Sequence, residues 1–545
     1  MELNIQDLLI PVIKGSVARF NADAGLIPEA ILDLPAEGRF GELTTNFALR
    51  LAKVLKKSPP EIAKAIIPDI KEGLKARGLD KYVGDIRVEG AGFINFYLTV
   101  DFFREFLKSV LEEGEDSLRS DAGKGRHVLI EFVSANPTGP LSVAHARQAA
   151  VGDVLSNVLG FLGFDVKKEY YLNDEGNQIN ILGRSIELRL KELNGEKIEF
   201  PENHYQGEYI CDIAREVKEK KLEIKDFGEF GAGYILDIIK KELEDFGVRF
   251  DYWYSQKGLR ESGKIKEAFA ELKEKGLLYE QDGALWFAST RFGDDKDRVV
   301  IKSDGSYTYL APDIAYHKDK YNRGFDWLIN FWGPDHHGYI NRLKASVKAL
   351  GRSADSLSIV IVQLATISRA GKPVQMSTRR GQYITLQEVL DEVGRDASRF
   401  FFLMRRVSSH LDFDLDVAKK QTSENPVYYV QYAYARISSI LRNSPGQTKA
   451  GPDLSLLKEE EEIGLIKKLW QFSNALNICL LTQDPYMLTV YLQELATTFH
   501  KFYDKHRVLG EDSGLTAARL ALIEATKVVL SAGLGLLGVS KPEKM

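Results

Sequence analysis

Apolar positions change their period several times along the chain, and each change marks an element. Over 45–57 (TNFALRLAKVLKK), Phe47, Leu51, Val54 and Leu55 fall on one helical face. Ser58-Pro59-Pro60 stops that helix and opens the next, with Glu61 near its start. Residues 88–98 (VEGAGFINFYL) read as a strand interrupted by glycines. From about 112 to 125 the chain turns charged and Gly-rich, as a linker does. A small α+β unit over 1–112 is expected.

A strand-helix-strand pattern follows. Residues 127–133 (HVLIEFV) form an apolar strand-type run, and 134–142 a loop with Asn136, Pro137, Gly139 and Pro140. From about 143 to 162, Val151, Val154, Leu155, Val158, Leu159 and Leu162 keep the helical spacing, Gly163 ends the helix, and 164–172 is a second strand. Short links between such elements predict a parallel, doubly wound sheet. Residues from about 174 to 295 break the rhythm with charged helices and read as an insertion. Strands are expected again near 298–302, 327–332 and 358–362, within an α/β unit over 125–415. Beyond it, 416–545 reads as helix only, with segments near 426–442, 463–480, 485–508 and 516–533. The run KEEEE (458–462) reads as a solvated face.

Composition narrows the class. With 545 residues, 44% apolar and 28% charged, the chain is an ordinary globular mixture of several domains. Two cysteines, Cys211 and Cys479, exclude a disulfide framework or a cysteine-based zinc site and suit a reducing cytoplasm. No uninterrupted apolar run of about 18 residues occurs, so no membrane span is expected. The start, MELNIQDLLIPVIKG, lacks a basic-then-apolar targeting pattern. A net charge of -5 gives no global hint of nucleic acid, so such a partner must be met by local patches.

Four segments carry candidate chemistry. The first is Glu131 to His145 (EFVSANPTGPLSVAH), a strand-to-helix turn at the carboxyl end of a sheet strand. Ligands bind there in open α/β sheets, and a helix N-terminus offers free N–H groups to phosphate. His145 can add a donor, although a helix cap beside a surface histidine would look the same. The second is Gly333-Pro-Asp335-His336-His337-Gly338-Tyr339. A nucleotide pocket is the better reading than metal, because no cysteine or further histidine lies nearby. The third, Gln375-Met376-Ser377-Thr378-Arg379-Arg380-Gly381, can fold basic side chains over a triphosphate. The fourth is Tyr307 to Asp313 (YTYLAPD), where an acid and an aromatic can hold a planar cation.

Together and in this order, these segments resemble the arginyl-tRNA synthetases, a class I aminoacyl-tRNA synthetase family. EFVSANPTGPLSVAHARQAAVGD is similar to the family's His-Ile-Gly-His region and VQMSTRRG to its Lys-Met-Ser-Lys loop. WGPDHHGY, TYLAPDIAYH, RFGELTTNFALRLAK, GAGFINFYL, NPVYYVQYAYARI and the terminal GLGLLGVSKPEKM extend the resemblance over nearly the whole chain. It implies a multidomain α/β fold: an N-terminal α+β domain at the tRNA elbow, a Rossmann-type catalytic domain with a connective insertion, and a C-terminal all-α anticodon-binding bundle. It also implies the reaction, in which L-arginine and ATP give arginyl-adenylate and the arginyl group passes to the 3′ end of tRNA(Arg). Related enzymes need bound tRNA even for the first step.

By position, the resemblance places arginine against Glu131, Ser134, Asn136, Tyr309 and Asp313. A forked guanidinium suits a carboxylate such as Asp313, and lysine could not fill the fork. It places ATP, with Mg2+, against His145, Gly333, Asp335, His336, His337 and Met376, and gives catalytic roles to Ser142, His145, Ser377 and Arg379. Phe93, Asn95, Tyr429 and Tyr432 match tRNA-facing positions, with core packing as the other reading for all four and an equal one for Tyr429. No structural metal and no membrane partner are implied, and a monomer is.

The chain departs from the pattern at two places. Ser142 and Ala144 stand where the first motif has histidine and glycine, and Gln375 and Thr378 stand where the loop has lysines. Arg379, supported by Arg380 and Lys372, is then expected to supply the cationic role. A non-catalytic tRNA-binding paralogue is the alternative, supported only by these changes and opposed by the complete arginine set.

Overall fold

A computed structural model describes residues 5–20, 24–369, 371–374, 383–444 and 451–545. The first unit packs helices Ile5–Gly15, Phe47–Leu55, Pro59–Ala76 and Val100–Glu113 on a three-stranded antiparallel sheet. Phe47 and Leu51 are buried, as the helical spacing predicts, and Val54 and Leu55 are half-buried. The single strand expected over 88–98 is instead a hairpin. Val83–Glu89 pairs with Phe93–Leu98, Val88 facing Ile94. Gly90 (φ 53°) and Gly92 (φ 115°) make the turn, in a backbone region that side chains rarely enter.

The α/β unit is built on five parallel strands in the order Leu357–Ile361, Trp327–Trp332, His127–Glu131, Asp165–Leu172, Tyr252–Ser255. From His127–Glu131 the chain adds two strands outward on one side and later two on the other. The switch point therefore lies between His127–Glu131 and Trp327–Trp332, where a crevice opens at the carboxyl ends. Two expectations are corrected here. Tyr252–Ser255, inside the stretch read as an insertion, is an edge strand of this sheet. Conversely, Arg298–Ile301 pairs antiparallel with Ala284–Phe287 in a separate small sheet. Four aromatic and polar residues between charged helices carry no apolar run, and a short β-branched run fits either sheet equally well.

Helix Val143–Phe161 crosses from the first strand to the second and is buried along almost its whole length. One of its residues, Arg147, is a fully buried cation that donates to the carbonyls of Gln363, Arg406 and Ser409 at 2.7–2.9 Å. It ties this helix to the segments that lead into the paired strands Ala365–Arg369 and Leu411–Asp414. Arg399, also fully buried, donates to Asp153 Oδ2, to Leu537 O and to Phe246 O, and so joins three parts of the chain.

The C-terminal unit consists of helices Pro426–Arg442, Glu460–Trp470, Phe472–Thr482, Tyr486–Lys505 and Ser513–Leu537. The helix expected over 463–480 is two, meeting at Gln471. Ser513–Leu537 has the length and apolarity to cross a membrane, yet 72% of its apolar window is buried inside the protein, as in a core helix. The acidic run is more than a solvated face. Glu462 is fully buried, accepts from the N–H groups of Lys458 and Glu459, and accepts from Arg519 Nε at 2.8 Å.

Candidate active site

The strand His127–Glu131 delivers Glu131 to the switch point, and the chain then turns sharply. Val133 (φ 67°) and Ser134 (φ 42°) both adopt left-handed backbone. For a β-branched residue this is a strained conformation, of order 1–3 kcal/mol, that only its surroundings can hold. The second strand does so. Tyr170 donates its hydroxyl to Ala135 O at 2.9 Å, and the Tyr171 N–H donates to Ser134 Oγ at 3.1 Å. Further along, Tyr209 donates to Thr138 O and Tyr383 to Pro140 O. A Cβ on Gly139 between them would sit 3.1 Å from each of these hydroxyls.

The turn ends at the N-terminus of helix Val143–Phe161. His145 Nδ1 accepts the Ser142 N–H at 3.2 Å and contacts Ser142 Oγ at the same distance. The proton of a neutral ring must then be on Nε2. Burial holds His145 neutral, pushing it down to about 4. His145 is thus a helix cap and also a neutral imidazole with one N–H donor.

Glu131 is 8% exposed and each of its carboxylate oxygens has a partner. Oε2 lies 2.5 Å from Lys320 Nζ, and Oε1 accepts from Ser134 Oγ at 3.2 Å. Lys320 Nζ also donates to Asn330 Oδ1 at 3.3 Å and sits 4.1 Å over the Tyr316 ring. His317 completes the cluster. It donates from Nδ1 to Asp313 O at 2.8 Å and accepts the Asn330 amide at Nε2 at 2.9 Å. Burial and the neighbouring Lys320 push His317 down to about 3, so it is neutral.

Asp313 lies one turn before His317 on helix Leu310–Asn322. Its Oδ2 accepts the Tyr339 hydroxyl at 2.5 Å. Burial of the carboxyl end, against the help of that hydroxyl and with the charge of Glu131 adding to it, pushes Asp313 up to about 6. The Tyr171 hydroxyl is raised first by burial and then by Asp313 and Glu131, so the two acids and this ring share one space. Tyr171, Tyr254 and Tyr316 pack together as its wall, with centroids 4.6–4.7 Å from Tyr316. The arrangement is an acidic, aromatic-walled recess beside a helix N-terminus, suited to a cationic substrate next to a phosphate-bearing one.

The other expected residues lie as follows. Asn136 donates to Gln178 Oε1 at 2.6 Å. Tyr309 is 83% exposed and points to solvent rather than over Asp313. Asp335, His336 and His337 are exposed, with His336 Nε2 3.5 Å from Asp335 Oδ2. Gly333 leaves room for Asp335 Oδ1, which a Cβ there would meet at 2.7 Å. Met376, Ser377 and Arg379 lie outside the described residues. Phe93 is 40% exposed, while Asn95 is buried and accepts from Thr44 Oγ1 at 2.6 Å. Both line a cleft of about 230 Å³. Tyr429 and Tyr432 line a second cleft of about 450 Å³ with Tyr428, Arg436, His500 and Asp504. Sequence reasoning passed over Lys320 and Tyr171, and it held Tyr339 and His317 only as the ends of quoted segments, without a role. Asp313, His317 and Lys320 share one helix face at i, i+4 and i+7, and that spacing was the available sign. Among the described residues no group of three metal-ligating side chains converges.

A strained strand-to-helix turn at the switch point of a five-stranded parallel sheet is a nucleotide-binding architecture, and in this chain, which continues into a helical bundle, it is that of a class I aminoacyl-tRNA synthetase. The family model described as "tRNA synthetases class I (R), catalytic domain" matches residues 107–407. The "Arginyl tRNA synthetase N terminal domain" matches 6–98 and the "DALR anticodon binding domain" 430–545. The chain is 46% identical to the arginine–tRNA ligase of Citrifermentans bemidjiense, with all of both chains covered. It is 44% identical to that of Bacillus subtilis, with 99% of each covered. The solved Thermus thermophilus arginyl-tRNA synthetase shares the fold, with a TM-score of 0.77 at 22% identity, over 99% of this chain and 100% of that one. The chain belongs to the arginyl-tRNA synthetase family. Its activity is that of an arginine–tRNA ligase, and nothing found favours the non-catalytic alternative.

Proposed function

We propose that the recess between Glu131 and Asp313 selects arginine and that the N-terminus of helix Val143–Phe161 takes the phosphates of ATP. The observation that carries this reading is Asp313, a carboxylate in protein surroundings with an aromatic wall and no ion pair among the described residues. A guanidinium supplies the missing charge and can take the carboxylate bidentately. Glu131, already balanced by Lys320, acts as the second acceptor, with Ser134 and Asn136 toward the α-amino end. Tyr309 reaches the site only by moving inward from its exposed position.

In activation, an arginine carboxylate oxygen bonds to the α-phosphorus of ATP and the bond to the bridging oxygen breaks, releasing pyrophosphate. In transfer, a hydroxyl of the terminal tRNA ribose attacks the arginyl carbonyl and AMP leaves. Nε2–H of His145, the helix N–H groups and Gly333 to His337 hold the nucleotide. Ser142, Met376 and Ser377 complete its surroundings, and Arg379 stabilises charge on the phosphates. No covalent intermediate with the protein is needed, because positioning and charge stabilisation suffice. Magnesium arrives as part of the substrate MgATP, held by its phosphates. Phe93 and Asn95 face the tRNA elbow, and Tyr429 and Tyr432 face the anticodon. The working division is 1–112, 125–415 and 416–545, in a monomer acting in the cytoplasm.

The test is arginine-dependent exchange of pyrophosphate into ATP, with and without tRNA(Arg). Exchange requiring arginine and tRNA together, lowered about 10–100-fold in kcat/KM for arginine in Asp313→Asn and more than about threefold in Arg379→Ala, is the expected result. Exchange supported equally by lysine would refute the arginine assignment.

A further inference from the structure

Leu141, just before the N-cap of helix Val143–Phe161, is held at both of its peptide groups. Its C=O accepts the Leu386 N–H at 2.8 Å, and Ser142 bridges to Thr385 beside it. Its N–H donates to Glu242 Oε2 at 3.0 Å. Glu242 comes from helix Phe227–Asp245, far away in sequence, and is 5% exposed.

Among the described residues Glu242 has no counter-ion. The titratable groups that face it are two uncharged hydroxyls, Tyr170 from the strand Asp165–Leu172 and Tyr383 from the segment before helix Leu386–Leu403. Both are already donating, to Ala135 O and Pro140 O. The helices Asn177–Leu193 and Leu386–Leu403 that pack on its own helix bring no charge to it. Burial therefore pushes its carboxyl up to about 7. The folded value lies above the ordinary 4.5, so the folded chain keeps a proton between about 4.5 and 7 that the unfolded chain releases. That contribution to stability is present at low pH and is lost as pH rises through 7. At and above neutrality the ionised side chain weakens the fold, where an apolar one would not. A group that destabilises its own fold and contacts the turn before the phosphate-facing helix calls for a functional reason.

We propose that Glu242 is a positioning residue for the nucleotide, its carboxylate fixing the Pro140–Leu141 peptide at the end of the turn so that the helix N-terminus and His145 meet the phosphates of ATP. The inference rests on placing ATP at that helix end. An ionised acceptor holds the N–H more strongly than a neutral one, so use of ATP improves as pH rises through neutrality.

The experiment is arginine-dependent ATP–pyrophosphate exchange in the full-length enzyme with tRNA(Arg), for wild type, Glu242→Leu, Glu242→Gln and His145→Ala. Glu242→Leu is expected to raise KM for ATP about fivefold or more, change KM for arginine less than about twofold, and melt no lower than wild type at pH 8. Glu242→Gln, which keeps an acceptor oxygen without charge, is expected to recover part of that loss and to flatten the rise of kcat/KM for ATP between about pH 6 and 8. A smaller rise in KM for ATP, or equal rises for ATP and arginine, overturns the proposal. If Glu242→Leu does not fold, an unchanged pH inflection in Glu242→Gln overturns it instead. His145→Ala separates the two levels. If it too leaves KM for ATP unchanged, the placement of ATP has failed. If it raises KM while the Glu242 variants do not, only the role of Glu242 is lost.

Discussion

Lys320 and Glu131 form an ion pair, 2.5 Å from Nζ to Oε2, in which the lysine side chain has no solvent exposure. The pair commits one of the two acids of the recess before any substrate arrives. It also binds helix Leu310–Asn322 to the end of the strand His127–Glu131. Removing one partner leaves a buried charge alone, which typically costs about 3–5 kcal/mol. Lys320→Met is therefore expected to lose that much in urea unfolding. Lys320→Met with Glu131→Gln is expected to regain most of it while arginine binding stays poor. A single-variant loss under about 1 kcal/mol would mean that the pair does not form in solution.

Asp313 gives the arginine site its own pH dependence. Burial raises its carboxyl to about 6, above the ordinary 3.8, so between those values the folded chain holds a proton that the unfolded chain has lost. Its contribution to stability is thus present at low pH and declines as pH rises through 6. Guanidinium needs the ionised form, so kcat/KM for arginine is expected to fall about tenfold per pH unit below 6. Arginine should raise the melting temperature more at pH 8 than at pH 5. In Asp313→Asn the pH dependence should vanish along with about 10–100-fold of the affinity, the worth of a charged hydrogen bond. An acid limb that persists in Asp313→Asn would assign the titration elsewhere.

The cleft of the helical unit is aromatic on one side and charged on the other. Tyr428 and Tyr432 stack at 6.3 Å, His500 packs 4.9 Å from Tyr429, and Arg436 donates to the Tyr432 hydroxyl at 2.7 Å. Stacking on an unpaired base is worth roughly 1–3 kcal/mol. Tyr432→Ala should weaken tRNA(Arg) by that amount with an unchanged salt slope. A phosphate-facing cation behaves differently, and Arg436→Gln should lower the slope of log K against log salt by about one unit if it is one. Titrations by filter binding at several salt concentrations distinguish the two. If Tyr432→Ala binds like wild type, this cleft does not take a base.

Long periodic elements were legible in the chain, and short or compensated ones were not. Helix Val143–Phe161 follows from six apolar positions at helical spacing, and the switch-point turn follows from the strand before it. Tyr252–Ser255 is only four residues in a charged stretch, so its place at the sheet edge depends on backbone pairing with Asp165–Leu172, which leaves no periodic mark. Lys320 illustrates a second limit. A lysine on a helix reads as solvated, and only the acid it meets, 189 positions earlier, makes it a core residue. Glu242 is hidden in the same way, because its partner is a backbone N–H with no residue type to betray it. Resemblance named Asp313 and Glu131 but not Lys320, and it carried Tyr339 only as the end of a motif, with no link to Asp313.

The acidic run 458–462 shows how a charged stretch can be structural. Glu462 caps helix Glu460–Trp470 by accepting from the N–H of Lys458 at 2.8 Å and of Glu459 at 2.9 Å, and it meets Arg519 on the last helix. Its neighbour Glu461 faces outward to Lys505 and His506, and these partners hold its carboxyl down to about 2. The two glutamates should respond differently to replacement. Glu462→Ala leaves Arg519 12% exposed without its acid and two N–H groups without an acceptor, an expected loss of about 3 kcal/mol. Glu461→Ala breaks pairs that are partly open to solvent and screened by it, so a smaller loss is expected there. Melting of the two variants in parallel decides the point. Equal losses would return the whole run to a solvated face, and a loss confined to Glu462→Ala would place one buried acid at the joint between helices Glu460–Trp470 and Ser513–Leu537.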